Sequence, residues 1–178
     1  MKKKYVVSRG LAFGEEKDMA KLTSYAKQGW VLERFAPFGF LLKKGKVQHL
    51  SFAVDYNKDP DDEYFAYFEQ AGWTHMCSGV DYIHVFSSPE GTQPIYSDRE
   101  TTLEKYEVEK KNTGMVALPS LIATILLFIC GNLEGVSGLM EEVLIWSGFA
   151  TMIVFVFSGM PYVGYRYKLS KVRKGWGK

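Results

Sequence analysis

The sequence predicts an α+β protein: a duplicated βαββ unit forming a mainly antiparallel sheet with two helices, followed by a two-helix transmembrane hairpin. Three observations lead there. "AKQGW" ends at Trp30, and "EQAGW" ends forty-three positions later at Trp73. Each follows a polar, helix-like run and precedes an apolar run, as copies of one supersecondary unit would. Two long uncharged stretches, 114–131 and 143–165, then occupy most of the remaining chain.

Aligned at that offset, "FGEEKDMAKLTSYAKQGW" falls over "YNKDPDDEYFAYFEQAGW". Each half opens with a β-rich run, "YVVSRG" at Tyr5–Gly10 and "HLSFAVDY" at His49–Tyr56. Acidic helix starts follow at Glu15–Asp18 and Asp59–Glu63, where negative charge suits the helix dipole and Pro60 suits a first turn. Met19, Leu22 and Ala26 share one helical face, and so do Phe65, Phe68 and Ala71. Gly29 and Gly72 end the helices, and Trp30 and Trp73 begin the next strands and pack back across the helix ends. Two strands close each half, "WVLERFAP" with "FGFLLKKG" and "WTHMCSG" with "DYIHVFSS", turning near Pro37 and Gly79. One sheet with both helices on one face would bury the aromatic stripes.

"PIYSDRETTLEKYEVEKKN" follows. Ser97 and Glu100 have capping-box spacing, which predicts a linker helix from near Asp98 toward Lys111, interrupted at Asn112–Gly114. A helix rises about 1.5 Å per residue, so about 20 apolar residues cross a hydrocarbon core about 30 Å thick. Both uncharged stretches approach or exceed that length. Lys110 and Lys111 flank the first; Arg166, Lys168, Lys171, Arg173 and Lys174 flank the second; the loop between them holds Glu134, Glu141 and Glu142 and no base. The positive-inside rule puts both termini in the cytoplasm. Trp146, Tyr162, Tyr165, Tyr167 and Trp176 lie near span ends, and Pro119 and Pro161 are potential kinks. Ala117, Ser120, Ala123, Ser147, Gly148, Ala150, Ser158 and Gly159 let helices approach closely, within the hairpin or in a homo-oligomer. The expected division is therefore 1–93 duplicated domain, 94–113 linker helix, 114–133 first span, 134–142 loop, 143–165 second span and 166–178 basic tail.

Charge narrows the function classes. Residues 1–113 hold 16 Lys/Arg against 17 Asp/Glu, whereas the last 13 residues hold six bases and no acid. A basic excess confined to one tail points to a membrane edge and anionic lipid, not to nucleic acid. The N-terminus "MKKKYVVSRG" lacks the apolar run of a signal peptide. Cys77 and Cys130 lie in unlike surroundings and imply no disulfide.

No P-loop, serine elbow or dinucleotide glycine pattern is present. His75 and Cys77 would share a strand face with His84 on the neighbouring strand, but nothing in their spacing marks a metal site. Asp59, Asp61, Asp62 and Glu63 read as helix-capping acids. No cofactor or metal and no catalytic residue is expected. The expected ligand- or partner-contacting positions are Trp30, Phe40, Trp73, Tyr82, Ser97, Asp98 and Tyr106, beside the flanking bases named above.

The AKQGW helix end with its aromatic strands, the second EQAGW, and "PIYSDRETTLEKYE" before the membrane resemble the bacterial family catalogued as domain of unknown function twenty-eight twelve, over roughly residues 3–110. The resemblance implies a membrane-attached cytoplasmic domain, often encoded beside PadR-type transcriptional regulators, and brings no catalytic residues with it. The expectation is a non-enzymatic, membrane-anchored sensor or adaptor with membrane lipid and an unidentified protein as partners. The alternatives are a small membrane enzyme using Asp55, Asp81, His75 and His84 on a lipid or envelope intermediate, and a transporter accessory subunit.

Overall fold

The computed structural model describes residues 2–80, 82–96 and 99–175. The chain divides into two compact units, 1–97 and 98–178.

The first unit runs β1 (Lys3–Val7), α1 (Leu11–Ala26), β2 (Trp30–Ala36), β3 (Gly39–Lys44), β4 (Leu50–Tyr56), α2 (Asp62–Gln70), β5 (Thr74–Gly79) and β6 (Ile83–Pro89). The strands form two antiparallel sheets of three, ordered β1-β3-β2 and β4-β6-β5. The expected single sheet with both helices on one face is therefore corrected. Strand β2 lies against β5 without pairing with it in a ladder. The ring of Phe35 fills the space over Gly79, where a Cβ would stand 2.8 Å from it. A side-chain contact takes the place of a ladder.

Strand alternation then decides what each face covers. Val6, Phe40 and Leu42 from the first sheet meet Val54, Cys77 and Val85 from the second around Met19, Leu22 and Ala26 of α1. The opposite face of the second sheet carries Phe86, which packs with Phe68 of α2 and with Trp73. The second sheet is thus covered on both faces, by α1 with the first sheet on one side and by α2 on the other.

Helix α1 begins earlier than the acids suggested. A first turn from Leu11 breaks at Gly14 (φ −129°, ψ 23°), and the regular helix resumes at Glu15. Asp18 is 1% exposed and acts as a buried clasp, not as a solvated dipole partner. It accepts from Ser8 Oγ at 2.5 Å and from the Arg9 amide, fixing the β1–α1 loop. Helix α2 starts as expected, with the Asp61 carboxylate accepting from the Tyr64 amide at 2.8 Å. It ends in a left-handed Gly72 (φ +83°), with the Gly72 amide on Glu69 O and the Trp73 amide on Phe68 O. That pair of bonds is a Schellman closure.

The second unit is two helices, α3 (Arg99–Gly131) and α4 (Leu139–Gly175). At 1.5 Å per residue they measure about 50 and 55 Å, well beyond a hydrocarbon core. The expected interruption at Asn112–Gly114 is absent, because α3 is continuous from linker to span. The expected free basic tail is helical to Gly175. The expected loop shortens to 132–138, and Glu141 and Glu142 form the first turn of α4, where the helix dipole favours them. The predicted cap at Ser97 and Asp98 and the ring of Trp176 lie outside the described residues.

The seam between α3 and α4 is built on small residues and one hydroxyl pair. A Cβ at Gly148 would meet Phe128 at 3.2 Å, one at Gly131 would meet Ile145 at 3.2 Å, and one at Gly114 would meet Tyr162 at 3.1 Å. Between them Thr124 Oγ1 and Thr151 Oγ1 lie 3.0 Å apart. The seam continues past the apolar stretch: the rings of Tyr106 and Tyr165 meet at a tilt, 6.2 Å between centroids, and Arg173 Nη2 pairs with Glu107 Oε1 at 2.5 Å. Outward-facing side chains from Met115 to Ile129 and from Val143 to Val163 are apolar and exposed. Only 22% and 6% of the most apolar windows of α3 and α4 are covered by protein.

Two outcomes follow. Gly72→Ala introduces a Cβ that meets only ordinary contact with Thr92, so its cost is the left-handed backbone, about 1 kcal/mol. A urea midpoint unchanged by that substitution contradicts the closure. Gly148→Leu drives a side chain into Phe128 and lowers the melting temperature of the detergent-solubilised chain, whereas Val154→Leu on the exposed side leaves it in place.

Candidate functional site

The alternation that sends Val54 into the core sends its neighbour Asp55 toward α2. Asp55 is 8% exposed and stands opposite His84 in the β4–β6 register. Its carboxylate accepts from Tyr64 Oη of α2 at 2.7 Å and from Tyr96 Oη. Burial pushes both phenols far above the ordinary tyrosine range, and the charge of Asp55 and its hydrogen bonds push them further the same way. Both therefore stay protonated and donate. Glu15 of α1, also 8% exposed, accepts from Tyr56 Oη at 3.5 Å and adds to the negative field at Tyr96. A buried carboxylate with two donors escapes most of the penalty of lying away from water.

Tyr96 belongs to the segment by which the chain leaves this unit, and that segment is held at three points. Trp73 Nε1 donates to Gln93 O at 3.1 Å, Ile95 packs on the Phe68–Trp73–Phe86 cluster, and Tyr96 Oη donates to Asp55. The exit is thus clamped by α2 and the second sheet together.

Beside the clamp runs a chain of polar groups. His84, 1% exposed, places Nε2 3.0 Å from Asn57 O and Nδ1 2.8 Å from Ser78 Oγ. A carbonyl only accepts, so neutral His84 carries its proton on Nε2 and accepts from Ser78 at Nδ1. Ser78 Oγ is then left to accept from His75 Nε2 at 3.0 Å. A pocket of about 470 Å³ opens there, lined by Lys58, Asp59, Pro60, Ser78 and His84. Ser–His with a carbonyl as orienter is the hydrogen-bond order of a nucleophile and its base. Asp55 does not complete it: it serves the tyrosines.

The sequence-predicted positions separate. Phe40 lies in the core between the sheets and Trp73 in the α2 cluster, so these two rings do not share one pocket. Trp30 is half-buried between Lys4 and Lys44, whose ammonium groups lie 4.7 and 5.1 Å from its ring. Tyr82 stands 6.0 Å from Tyr56. Tyr106 is in the helical seam under Lys168, 4.8 Å from its ring. Ser97, Asp98 and Asp81 lie outside the described residues. Lys110, Lys111, Arg166, Lys168, Lys171, Arg173 and Lys174 gather at one end of the hairpin.

The shared face expected for His75 and Cys77 is corrected. A β-bulge between them pairs His75 with Phe86 but Cys77 with Val85, so they face opposite sides of the sheet. His75 touches Phe65, whereas Cys77 is buried in the core and its thiol is pushed up to about 11 by burial. Tyr96, and the role of Tyr64 as a donor to Asp55, escaped sequence reasoning, although Tyr64 beside the Asp61 cap was the available signal.

A family model described as protein of unknown function (DUF2812) matches residues 14–118. No curated protein and no solved structure matches the chain.

Tyr96→Phe removes one of two donors to a buried carboxylate and is expected to cost about 1–3 kcal/mol. A double-mutant cycle with Asp55→Asn, read by urea unfolding, should show strong coupling; independent effects would refute the clamp. His75 supplies a pH signature. Burial lowers its pKa, and its electrostatic interaction with the neighbouring His84 lowers it further. The unfolded chain takes up a proton near pH 6.5 that the folded chain resists. The contribution is therefore complete above that pH and is lost as pH falls through the lower folded value. His75→Gln should flatten part of the fall in melting temperature on acidification, and an unchanged slope would contradict the assignment.

Proposed function

We propose, on the premise that this chain belongs to the DUF2812 family, that it is a membrane-anchored sensor or adaptor whose cytoplasmic unit acts through its clamped exit segment. The single observation that carries this reading is the clamp. Ligand or partner contact at α2 shifts Tyr64 and Trp73, and these are the groups that hold residues 93–96. The chain then enters a helix that runs without a break toward its apolar half. The family match also passes without interruption from the first unit to Leu118 of α3, which supports treating unit and connector as one functional module.

The two halves of the unit, each β-α-β-β with the first strand beside the last, are read as copies of one ancestral element. Helices α3 and α4 cross a bacterial cell membrane in this reading. Their length, and the scarcity of protein covering their apolar faces, support it. The bases at one end and Glu134, Glu141 and Glu142 at the other support an orientation with both termini in the cytoplasm. The partner class carried over from the family resemblance is a PadR-type regulatory system.

Leu139→Cys in a chain lacking Cys77 and Cys130 should react with a membrane-impermeant maleimide on intact cells, and Lys171→Cys should not. Reversed labelling would refute the orientation. For the adaptor role, a photo-crosslinker at exposed Val108 of the stalk should trap a partner in native membranes. Tyr96→Phe should change that yield while the membrane level of the protein holds. A trap indifferent to Tyr96, or no trap at all, counts against the reading.

A second reading, a small membrane enzyme acting on a lipid or envelope intermediate, is favoured by the Ser78–His84–Asn57 O order beside its pocket. Covalent labelling of Ser78 by a fluorophosphonate, abolished in Ser78→Ala, would establish a nucleophile; an unlabelled Ser78 at saturating probe removes this option.

A further inference from the structure

The lysine-bearing end of the α3–α4 hairpin holds a groove of about 740 Å³. Its lining changes character along the helix axis. Lys110 and Lys111 form one end, while Met115 and Leu118 of α3 and the Tyr162 ring of α4 form the other. Positions 111, 115 and 118 recur at helical spacing, so head and floor lie in line on one face. Gly114 lets the Tyr162 ring lie close against α3 between them, because a Cβ there would stand 3.1 Å from that ring. Glu107 is the one acid in the lining, and Arg173 lies 2.5 Å from it, so it does not cancel the lysines. Among the described residues, neither Lys110 nor Lys111 has an ion-pair partner.

We propose that this groove binds one anionic phospholipid, with its phosphate between Lys110 and Lys111 and an acyl chain along Met115, Leu118 and Tyr162. The assignment rests on the reading that α3 and α4 cross a membrane. Complementarity selects the occupant. A soluble phosphate leaves the apolar floor unused, and a zwitterionic lipid leaves two cations unmatched at the depth where anionic headgroups lie. Pairing of Glu107 with Arg173 offsets the one acid in the lining and leaves the head of the groove net positive.

The test uses the full chain in neutral detergent, titrated with equal amounts of dioleoyl phosphatidylglycerol and dioleoyl phosphatidylcholine and read by native mass spectrometry. The chain should retain one phosphatidylglycerol in preference to phosphatidylcholine. Lys110→Gln with Lys111→Gln should lower that preference about tenfold or more, as two lysines near a lipid surface imply. Lys171→Gln with Lys174→Gln removes the same charge from the same end outside the groove, and should leave the preference intact. An equal loss in both double variants overturns the assignment, because diffuse charge then explains the binding. Displacement of the lipid by inorganic phosphate or glycerol phosphate also overturns it, since the ligand is then a soluble phosphate. Loss of lipid preference with correct maleimide labelling at Leu139→Cys sinks the groove alone; labelling from the wrong side sinks the membrane reading beneath it.

Discussion

The Asp55 carboxylate is the constraint on which the first unit turns. It lies on the covered face of a sheet, where an ionised group without donors would be strongly disfavoured. Its donors are two phenols from different parts of the chain: Tyr64, on a helix that the sheet must therefore hold close, and Tyr96, on the segment that leaves the unit. Satisfying one charge thus fixes the seat of α2 and the path of the exit together. The aromatic cluster of Phe68, Trp73 and Phe86 supplies apolar contact around the same place, and the Trp73 indole adds its own bond to Gln93. The seat of α2 and the path of the exit are therefore tied together by both polar and apolar contacts.

The helical unit obeys a different rule. Protein covers little of the apolar surface of α3 and α4, and the two helices pair through close packing and a few polar contacts. Gly114, Gly131 and Gly148 each sit beneath a large side chain of the facing helix, and Thr124 meets Thr151 between them. Beyond the apolar stretch the seam changes to a tilted pair of tyrosine rings and an Arg173–Glu107 pair. The same two helices are therefore joined by packing where the side chains are apolar and by aromatic and charged contacts where they are not.

Much of the local structure could be read in advance. Gly72 ends its helix as the Gly-Trp signature implied, Asp61 caps α2 with the chemistry its position suggested, and Ala117 and Gly148 lie in the seam where small residues were expected. These features depend on neighbours within a few positions, or on a periodicity of the chain itself. The candidate site was only partly legible: Asp55 and His84 stood among the considered acids and histidines, but their partners did not. Tyr96 meets Asp55 across 41 positions, and no local pattern records that meeting.

The sequence by itself determined strand and helix content, the glycine-closed helix ends, the uncharged lengths of α3 and α4 and the family to which the chain belongs, because each is written in residues close together along the chain. Only the tertiary structure decided that the six strands form two sheets, that a bulge turns Cys77 away from His75, that α3 passes unbroken from its polar to its apolar half, and that a tyrosine at the exit closes over Asp55. Those outcomes turn on whether a ring fits over a glycine, on where a strand gains one residue, and on which donor reaches a buried charge. They are contests between distant groups for the same space, and only the folded chain settles them.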